Sequence, residues 1–335
     1  MSPLVSIIVL SYTNLDYLYE CLDSIFSQSY ENIELIISND CNDGFYIETV
    51  SSYVQNNKSM NIRKTIINKN YQNYGTVKHC NTAISLSTGS YIMFIACDDV
   101  YSNNNAIKDM VTGLNNAPPD IMSIVGQTAM YDNELSELMY LYVSESTQSL
   151  INGLSPIDLF SEYLVLKPLL PAASRIFRRS VFTQFGMFDE RFFLIEDWSS
   201  SLLFEKNGMK SFYLDIMCVN HRDGGVSNSK PSSDSFVHKM FKSDLIKLHS
   251  EFLNEKSKLD KTIAKEIRSR LKWHKYDYEA TYIIPSIRNR VERLIYTIIV
   301  FVKYRTFSSI RKAITLRIAD CFSIRKCNFP HVGFF

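Results

Sequence analysis

Two adjacent carboxylates, Asp98 and Asp99, directly follow the apolar run at residues 91–96. Such a run predicts a strand that is buried on both faces of a mostly parallel sheet. In an open α/β sheet, ligands bind outside the carboxyl ends of the strands, so both acids would lie where a ligand binds. Their oxygens suit Mg²⁺ or Mn²⁺, which commonly bridge a protein carboxylate to substrate phosphates. The alternative is that the two acids only cap the next helix, predicted over residues 103–116.

The chain before this pair alternates between strand and helix patterns, and polar residues follow the predicted strands. Tyr12 follows the first strand and Asp40 the second, so we expect both to converge with Asp98 and Asp99 on one edge of a doubly wound α/β sheet. Neither Gly-x-Gly-x-x-Gly nor Gly-x-x-x-x-Gly-Lys-Ser/Thr is present, so a nucleotide would be held by other groups. The predicted strands cover residues 4–10, 33–38 and 62–67, and the predicted helices cover 15–27, 47–55 and 77–86.

Composition limits the class of protein. The chain has 335 residues, of which 46% are hydrophobic, which is typical of a globular protein with a large core. Its seven cysteines include no Cys-x-x-Cys pair, so neither a disulfide framework nor a zinc site is predicted. The first residues lack the pattern of a signal peptide. We therefore expect a cytoplasmic location.

The C-terminal part differs from the rest in charge and pattern. Residues 261–335 contain 16 of the 36 lysines and arginines but only five acids. The apolar run at residues 294–302 is shorter than the roughly 20 residues that span a bilayer. Basic residues around it favour a helix that lies on an anionic membrane surface, although packing on the core is the alternative. Nucleic acid is not predicted as a partner, because no binding motif accompanies the charge.

Several short motifs together resemble family 2 glycosyltransferases, which have the GT-A fold. In the first part these are VSIIVLSY at 5–12, NDCND at 39–43, and Asp98-Asp99. In the second part they are FGMFDERF at 185–192, IEDW at 195–198 and HRDGGVS at 221–227. The resemblance spans about residues 3–228 and rests on the order and spacing of the motifs.

The resemblance implies an organisation for the whole chain. Residues 1–100 would form the nucleotide-sugar half of a GT-A domain, a Rossmann-like, mostly parallel sheet flanked by helices. Residues 101–230 would form the acceptor-binding and catalytic half. Residues 235–335 would form a basic helical C-terminal extension with possible membrane contact.

The resemblance also implies site residues, carried over position by position. On the donor side it implies that Tyr12 lies against the nucleobase and Asp40 hydrogen-bonds the uracil ring. It implies that Asp99 ligates a divalent metal on the diphosphate and that Asp98 contacts the ribose or the metal. Asp197 would be the catalytic base, with Glu196 beside it. The remaining implied positions are Asn73, Gly75 and Asn81 near the nucleotide, and His221, Arg222 and the turn Gly224-Gly225 over the diphosphate.

The chemistry of sugar transfer also favours Asp197 on its own terms. The acceptor hydroxyl must lose a proton as it attacks C1, which requires a carboxylate within hydrogen-bond reach. The apolar residues 192–195 and the neighbouring Glu196 are expected to raise the pKa of Asp197 and make it a better base. The alternative is that both acids only open a helix, where its dipole favours negative charge.

Some positions depart from the family pattern. Ala96 stands where the family often has a further Asp, which predicts that the metal rests mainly on Asp99 and the phosphates. Residues 130–149 show no regular pattern and are interpreted as a flexible loop over the acceptor site. Arg175 or Arg178 would face the diphosphate if they are not surface arginines.

We therefore expect a metal-dependent, inverting glycosyltransferase that uses a nucleotide sugar, UDP-linked in this interpretation, with Mn²⁺ or Mg²⁺. The basic extension favours a lipid-linked glycan acceptor in bacterial surface polysaccharide assembly, such as O-antigen or capsule, at the inner face of the cytoplasmic membrane. One alternative is an inactive nucleotide-sugar or glycan-binding protein, in which Ala96 is a sign of decay. Another is a membrane or partner adaptor whose core acts as a scaffold.

Overall fold

The computed structural model describes residues 2–165, 170–223, 235–254 and 261–304. Its first part is the predicted alternation of strands and helices, because runs of branched apolar residues are separated by amphipathic segments. The strands are β1 (Val5–Ser11), β2 (Ile33–Asn39), β3 (Ile62–Lys69) and β4 (Tyr91–Ala96), and the helices between them are α1 (Leu18–Phe26), α2 (Ile47–Asn57) and α3 (Gly75–Leu86).

These four strands are parallel and lie in the order β3-β2-β1-β4. The order reverses beside β1, where a doubly wound sheet opens a crevice for ligands. Leu10 is paired with Ala96, and Ser11 with Asn39, so the carboxyl ends of β1, β2 and β4 meet at one edge. The prediction that the polar residues after these strands converge there is confirmed.

The second part of the chain adds further strands and helices to the same sheet. They are β5 (Val100–Tyr101), α4 (Ala106–Asn116), β6 (Ile121–Tyr131), β7 (Leu138–Leu141), α5 (Glu145–Gly153), α6 (Pro156–Val165), β8 (Arg175–Arg178), α7 (Ser180–Gln184), α8 (Glu196–Lys206) and β9 (Lys210–Arg222). The strand order continues as β4-β8-β6-β9-β5, with β7 paired to β6. Strand β8 is antiparallel to both β4 and β6, whereas β6 and β9 are parallel. The result is a mixed sheet flanked by helices, as predicted.

The prediction of an irregular, flexible loop over residues 130–149 was wrong. This segment contains the end of β6, all of β7 and the start of α5. Helix α5 begins after Ser144, whose hydroxyl accepts a hydrogen bond from the backbone N–H of Thr147 at 3.2 Å. Three of the four residues of β7 are exposed, so the strand lacks the alternation that would have indicated it.

Two apolar layers cover the sheet. One lies under α1, α2 and α4 and includes Leu22 and Ile107, and the other lies under α3, α6 and α8 and includes Val77 and Phe204. Every residue of β2 is buried, as expected for a strand covered on both faces. Burying one such aliphatic side chain contributes about 1.5–3 kcal/mol to stability. The core therefore holds both halves of the sheet in a fixed relation.

The predicted C-terminal helices are present over the described residues. They are α9 (Phe236–Asn254), α10 (Lys261–Tyr278), a short π-helix (Glu279–Ile283) and α11 (Arg290–Tyr304). Helix α10 packs on α9 and α6. Across the described ranges, no helix combines the length and the hydropathy needed to cross a membrane. The rest of the extension, residues 305–335, lies outside the described residues, as do Gly224 and Gly225.

Candidate active site

The carboxylates that follow β4 have different surroundings. Asp99 is 1% exposed, and its Oδ2 lies 2.9 Å from Nδ1 of His221, while its Oδ1 accepts a hydrogen bond from the backbone N–H of Arg222 at 3.2 Å. The end of β9 thus holds both of its oxygens. Asp98 is partly exposed, and its pKa is raised by burial and by the charge of Asp99. Asp98 is therefore the carboxylate of this pair that is more accessible to a ligand.

His221 supplies positive charge to this edge of the sheet. Burial lowers its pKa, but the carboxylate of Asp99 more than offsets that effect, and the pKa is raised to about 9. The imidazole is therefore protonated at neutral pH and donates to Asp99. Its side chain is 26% exposed, so its charge can act on an anion bound beside Asp98.

Arg222, which we expected over the diphosphate, is placed differently. Its side chain is 3% exposed and forms a salt bridge with Glu20. Its guanidinium also donates to the backbone oxygen of Asn133 at 2.9 Å and stacks 3.9 Å from the ring centroid of Tyr17. These contacts fix the end of β9 against α1 and the loop before β7. The arrangement gives Arg222 a structural role and does not present it to a ligand.

Asp40 shapes the loop that precedes α3. It is 3% exposed and accepts hydrogen bonds from the side chain of Asn70 and from the backbone N–H groups of Tyr74 and Gly75, at 2.9–3.1 Å. These three donors contact both carboxylate oxygens, and a carboxylate has about four acceptor sites. The contact of Asp40 with a uracil ring stays a prediction. Tyr12 remains partly exposed at the same edge.

Gly75 is required by both its backbone and its neighbours. Its φ is +75°, and a Cβ there would lie 2.6 Å from the backbone oxygen and ring of Phe193. Asn73 accepts a hydrogen bond from the N–H of Gly75 at 2.9 Å. The N–H of Val77 donates to the Phe193 oxygen at 3.3 Å. The start of α3 thus links the Asp40 loop directly to the segment before α8.

Asn81 joins the two halves of the chain. Its amide donates to the backbone oxygen of Phe188 at 2.8 Å and to the carboxylate of Glu190 at 3.0 Å, and it accepts from the N–H of Phe188 at 3.0 Å. The side chain is 6% exposed. Asn81 therefore holds the second half of the chain on α3, from a position further into the protein than the sheet edge.

Glu196 and Asp197 are the first two residues of α8 and are partly exposed. Burial raises the pKa of Asp197 to about 6, although hydrogen bonds from backbone N–H groups and the charge of Arg175 work against this rise. Burial and the neighbouring Asp197 raise the pKa of Glu196 strongly. At neutral pH Asp197 is therefore mostly ionised. The pair opens a helix, as the alternative interpretation held, and its ionised Asp197 also has the charge state that a general base requires.

Sequence reasoning missed the buried cluster behind this pair. Arg175 is 2% exposed and donates to hydroxyls of three serines, Ser123 on β6, Ser201 on α8 and Ser211 on β9, at 2.8–3.1 Å. Glu205 lies 3.8 Å from it. Arg178 donates to backbone oxygens at the edge of the core. Arg175 is therefore buried, and Arg178 is partly exposed with its guanidinium held by backbone oxygens. In the sequence of β8 the two arginines flank an apolar pair, which gives no signal that Arg175 is buried.

The residues that could hold a divalent cation are few. Within the described ranges, no group of three or more His, Cys, Asp or Glu side chains could hold a metal ion. A cation shared with substrate phosphates needs only one or two protein carboxylates. Asp98 fits that requirement, because it is partly exposed. Burial and then the charge of Asp99 raise its pKa, and a bound cation would favour its ionised form.

The neighbouring cysteines take no part in this chemistry. The five cysteines in the described part of the chain are all free. Burial raises the pKa of the thiols of Cys97 and Cys80, and nearby carboxylates raise it further. Both are small, buried packing residues. The charges of Glu196, Asp40 and Asp197 all raise the pKa of Cys80. This thiol therefore lies between the Asp40 loop and the start of α8.

Solved structures that are similar to this one include two glycosyltransferases. Residues 1–349 of Staphylococcus aureus TarS, in complex with UDP-GlcNAc, give a TM-score of 0.55 at 15% identity, over 90% of this chain and 81% of that one. The mannosyltransferase PcManGT from Pyrobaculum calidifontis, in complex with GDP-Man and Mn²⁺, gives 0.56 at 12% identity, over 96% and 87%. These similarities concern the fold, which is GT-A.

Sequence comparison finds relatives among bacterial glycosyltransferases. An uncharacterized glycosyltransferase of Rickettsia felis is 26% identical over 261 residues, which is 73% of this chain and 40% of the relative. RP339 of Rickettsia prowazekii, also an uncharacterized glycosyltransferase, is 28% identical over 64% of this chain and 62% of its own length. The chain thus spans 40–62% of the length of these two relatives.

A relative with a defined reaction matches a shorter region. The UDP-Glc:alpha-D-GlcNAc-diphosphoundecaprenol beta-1,3-glucosyltransferase WfaP of Escherichia coli is 32% identical over 140 residues, which is 35% of this chain and 53% of WfaP. Residues 6–185, more than half of the chain, match the sequence model described as Glycosyl transferase family 2. The chain belongs to glycosyl transferase family 2.

Proposed function

We propose that this protein is an inverting glycosyltransferase that transfers a sugar from a UDP-linked donor to a hydroxyl of a glycan acceptor. The observation that carries the proposal is the contrast between two carboxylate pairs. Asp98 and Asp99 lie beside a protonated His221 at the carboxyl end of β4. Asp197 opens α8 with a pKa of about 6. The first pair, with His221, suits a divalent cation that holds an anionic donor. The second pair suits removal of a proton.

Residues 1–100 hold the donor in this proposal, and residues 101–230 hold the acceptor. Tyr12 stacks on the nucleobase at the end of β1, and Asn73 and Gly75 shape the loop beside it. Asp98 is the main protein ligand of a divalent cation, Mn²⁺ or Mg²⁺, while Asp99 orients His221 and completes the charge around the diphosphate. When bound, the cation supplies Lewis acidity that stabilises the departing diphosphate. The complexes of TarS with UDP-GlcNAc and of PcManGT with GDP-Man and Mn²⁺ support a nucleotide-sugar donor and a divalent cation.

The transfer step places a proton on Asp197. As the acceptor oxygen forms its bond to C1 of the sugar, its proton passes to the Asp197 carboxylate. The bond from C1 to the diphosphate oxygen breaks, and its electron pair leaves with the nucleoside diphosphate. A base on the side of C1 opposite the diphosphate gives inversion. Glu196, which precedes Asp197 at the start of α8, lies beside the acceptor in this proposal.

The acceptor in this proposal is a lipid-linked glycan of bacterial surface polysaccharide assembly, O-antigen or capsule. The name of WfaP, which specifies an undecaprenol-linked GlcNAc acceptor, supports this choice. The C-terminal extension, residues 235–335, would keep the enzyme at the cytoplasmic face of the membrane, where such acceptors are presented.

A panel of UDP, GDP and dTDP sugars tests the proposal. Purified protein is incubated with each donor and Mn²⁺, with and without undecaprenyl-diphosphate-linked GlcNAc, and release of nucleoside diphosphate is measured. We expect one UDP sugar to support metal-dependent release, and Asp197→Asn to abolish it. Asp109→Asn, which changes an exposed acid on α4, is the matched control. Donor binding by calorimetry without turnover would instead indicate a nucleotide-sugar-binding protein.

A further inference from the structure

Helix α11 carries an apolar face that no described part of the protein covers. Six aliphatic side chains on this helix are 52–64% exposed. At 3.6 residues per turn they occupy an arc of about 140°. Scattered exposed apolar residues are normal on a protein surface, but a contiguous stripe of this kind marks an interaction site. The six residues, named here the α11 apolar face, are Val291, Leu294, Ile295, Ile298, Ile299 and Val302.

The opposite side of α11 fixes the helix to the protein. Val300 on that side is 1% exposed. Lys303 donates to the carboxylate of Glu279 at 2.8 Å, and the hydroxyl of Tyr296 lies 3.5 Å from the same carboxylate. Helix α11 therefore already has a packed side. The α11 apolar face points outward and is not the side by which the helix joins the core.

The charge around this face is strongly positive. Residues 261–304 contain ten lysines and arginines against four acids, and residues 305–335 contain six against one. Arg290 and Glu292 at the start of the helix are exposed, and Arg288 lies just before it. An apolar stripe within a basic segment is typical of helices that lie in the plane of an anionic bilayer surface.

We infer that the α11 apolar face inserts into the boundary between the headgroups and acyl chains of a bilayer that contains anionic lipids. Three partners could cover this face, namely a second copy of the chain, residues 305–335 or a lipid surface, and charge distinguishes between them. A second copy of this chain would bring the same basic segment against itself, and residues 305–335 are also basic, so both would meet like-charge repulsion. Anionic headgroups would instead neutralise the surrounding lysines and arginines. The inference rests on the proposed function in assigning a membrane role, and it adds the residues and the lipid class.

Vesicle sedimentation of the full chain tests this inference. We expect binding to vesicles of phosphatidylcholine with phosphatidylglycerol, little binding to phosphatidylcholine alone, and weaker binding as salt rises. Ile298→Gln should weaken binding severalfold, and Leu294→Gln with Ile298→Gln roughly tenfold or more. The matched control is Ile157→Gln on α6, since Ile157 and Ile298 are both 54% exposed. That control should bind vesicles as the parent does.

Turnover separates this inference from the proposed function. Release of nucleoside diphosphate with a water-soluble acceptor should be unchanged in Ile298→Gln, because α11 carries no residue of the catalytic site. Equal vesicle binding by Ile298→Gln and Ile157→Gln would overturn the inference, whatever the turnover. A dimer in sedimentation velocity that Ile298→Gln converts to a monomer, with no vesicle binding by the parent, would also overturn it and would indicate self-association.

Discussion

The two carboxylate pairs of this protein have the same sequence spacing but opposite surroundings. Asp99 is held by a protonated His221 and a backbone N–H, so the first pair has a cationic partner at hydrogen-bond distance. Arg175, the cation whose charge acts on Asp197, also lies 3.8 Å from Glu205. Burial therefore raises the pKa of both Glu196 and Asp197. Neighbouring partners, and not the adjacency of two acids, therefore separate a site for a cation from a site for a proton.

Replacing the proposed base should have the largest effect. Asp197→Asn removes the proton acceptor while keeping the shape and the hydrogen bond from Trp198, so we expect turnover to fall by about a thousandfold. Donor affinity, measured by calorimetry, should stay within about twofold. Turnover that survives in Asp197→Asn would remove the distinction between the two pairs, because the second pair would then have only a helix-capping role.

The first pair should respond to metal concentration. Asp98→Asn leaves the buried contacts of Asp99 intact, so we expect a folded protein whose turnover falls by about a hundredfold at limiting Mn²⁺ and recovers partly in excess Mn²⁺. Asp197→Asn provides the contrast, since its loss should not be recovered by metal. A metal titration of both variants, read as nucleoside diphosphate release, checks this.

An Asp98→Asn variant with the same metal dependence as the parent would contradict the assignment of Asp98 over Asp99. In that case the metal would rest on Asp99 despite its burial, as the sequence predicted. Thermal unfolding of both variants at neutral pH verifies that the loss of turnover is not a loss of fold.

The second pair should also set the acidic limb of the pH profile. The base acts in its ionised form, and the pKa of Asp197 is about 6, so kcat/KM should be level above that pH and fall about tenfold per unit below it. The profile is measured between pH 5 and 8 at saturating Mn²⁺. A limb that lies near pH 4, the ordinary range of an aspartate, would show that burial does not act on the base.

The fold could be predicted largely from local pattern. Strands β1 to β4 and the helices between them follow runs of apolar residues with the expected periods, and only their ends differ by a few residues. Strand β7 could not be predicted, because it pairs with β6 through its backbone while most of its side chains are exposed. Its existence depends on a neighbour and not on its own pattern.

The positions of the candidate site residues in the fold could be predicted, but their contacts could not. The positions of Asp98, Asp99 and Asp197 at element ends follow from sequence. The pairing of Asp99 with His221 joins residues 122 positions apart, and the burial of Arg222 depends on Glu20 and Tyr17. Such contacts arise only when the sheet is assembled, so no local pattern predicts them.

Removing Arg175, the cation behind the second pair, should have the smallest effect on turnover. It tests directly whether this cation acts on the pKa of Asp197. The charge of Arg175 lowers the pKa of Asp197, so its loss should move the acidic limb to higher pH and reduce turnover severalfold near pH 6. Arg175→Gln alone leaves Glu205 as an unpaired buried acid, which costs stability. We therefore combine Arg175→Gln with Glu205→Gln, and use Glu205→Gln as the control.

The combined variant separates the electrostatic role of Arg175 from its structural one. Loss of the serine contacts alone would lower turnover equally at every pH, whereas loss of the charge moves the limb and spares the level region above it. A shifted limb in the combined variant, but not in Glu205→Gln, would show that the two carboxylate pairs differ because of the position of one cation. An unshifted limb would show that the charge of Arg175 does not act on Asp197, and would leave Arg175 as a brace between α8 and the sheet.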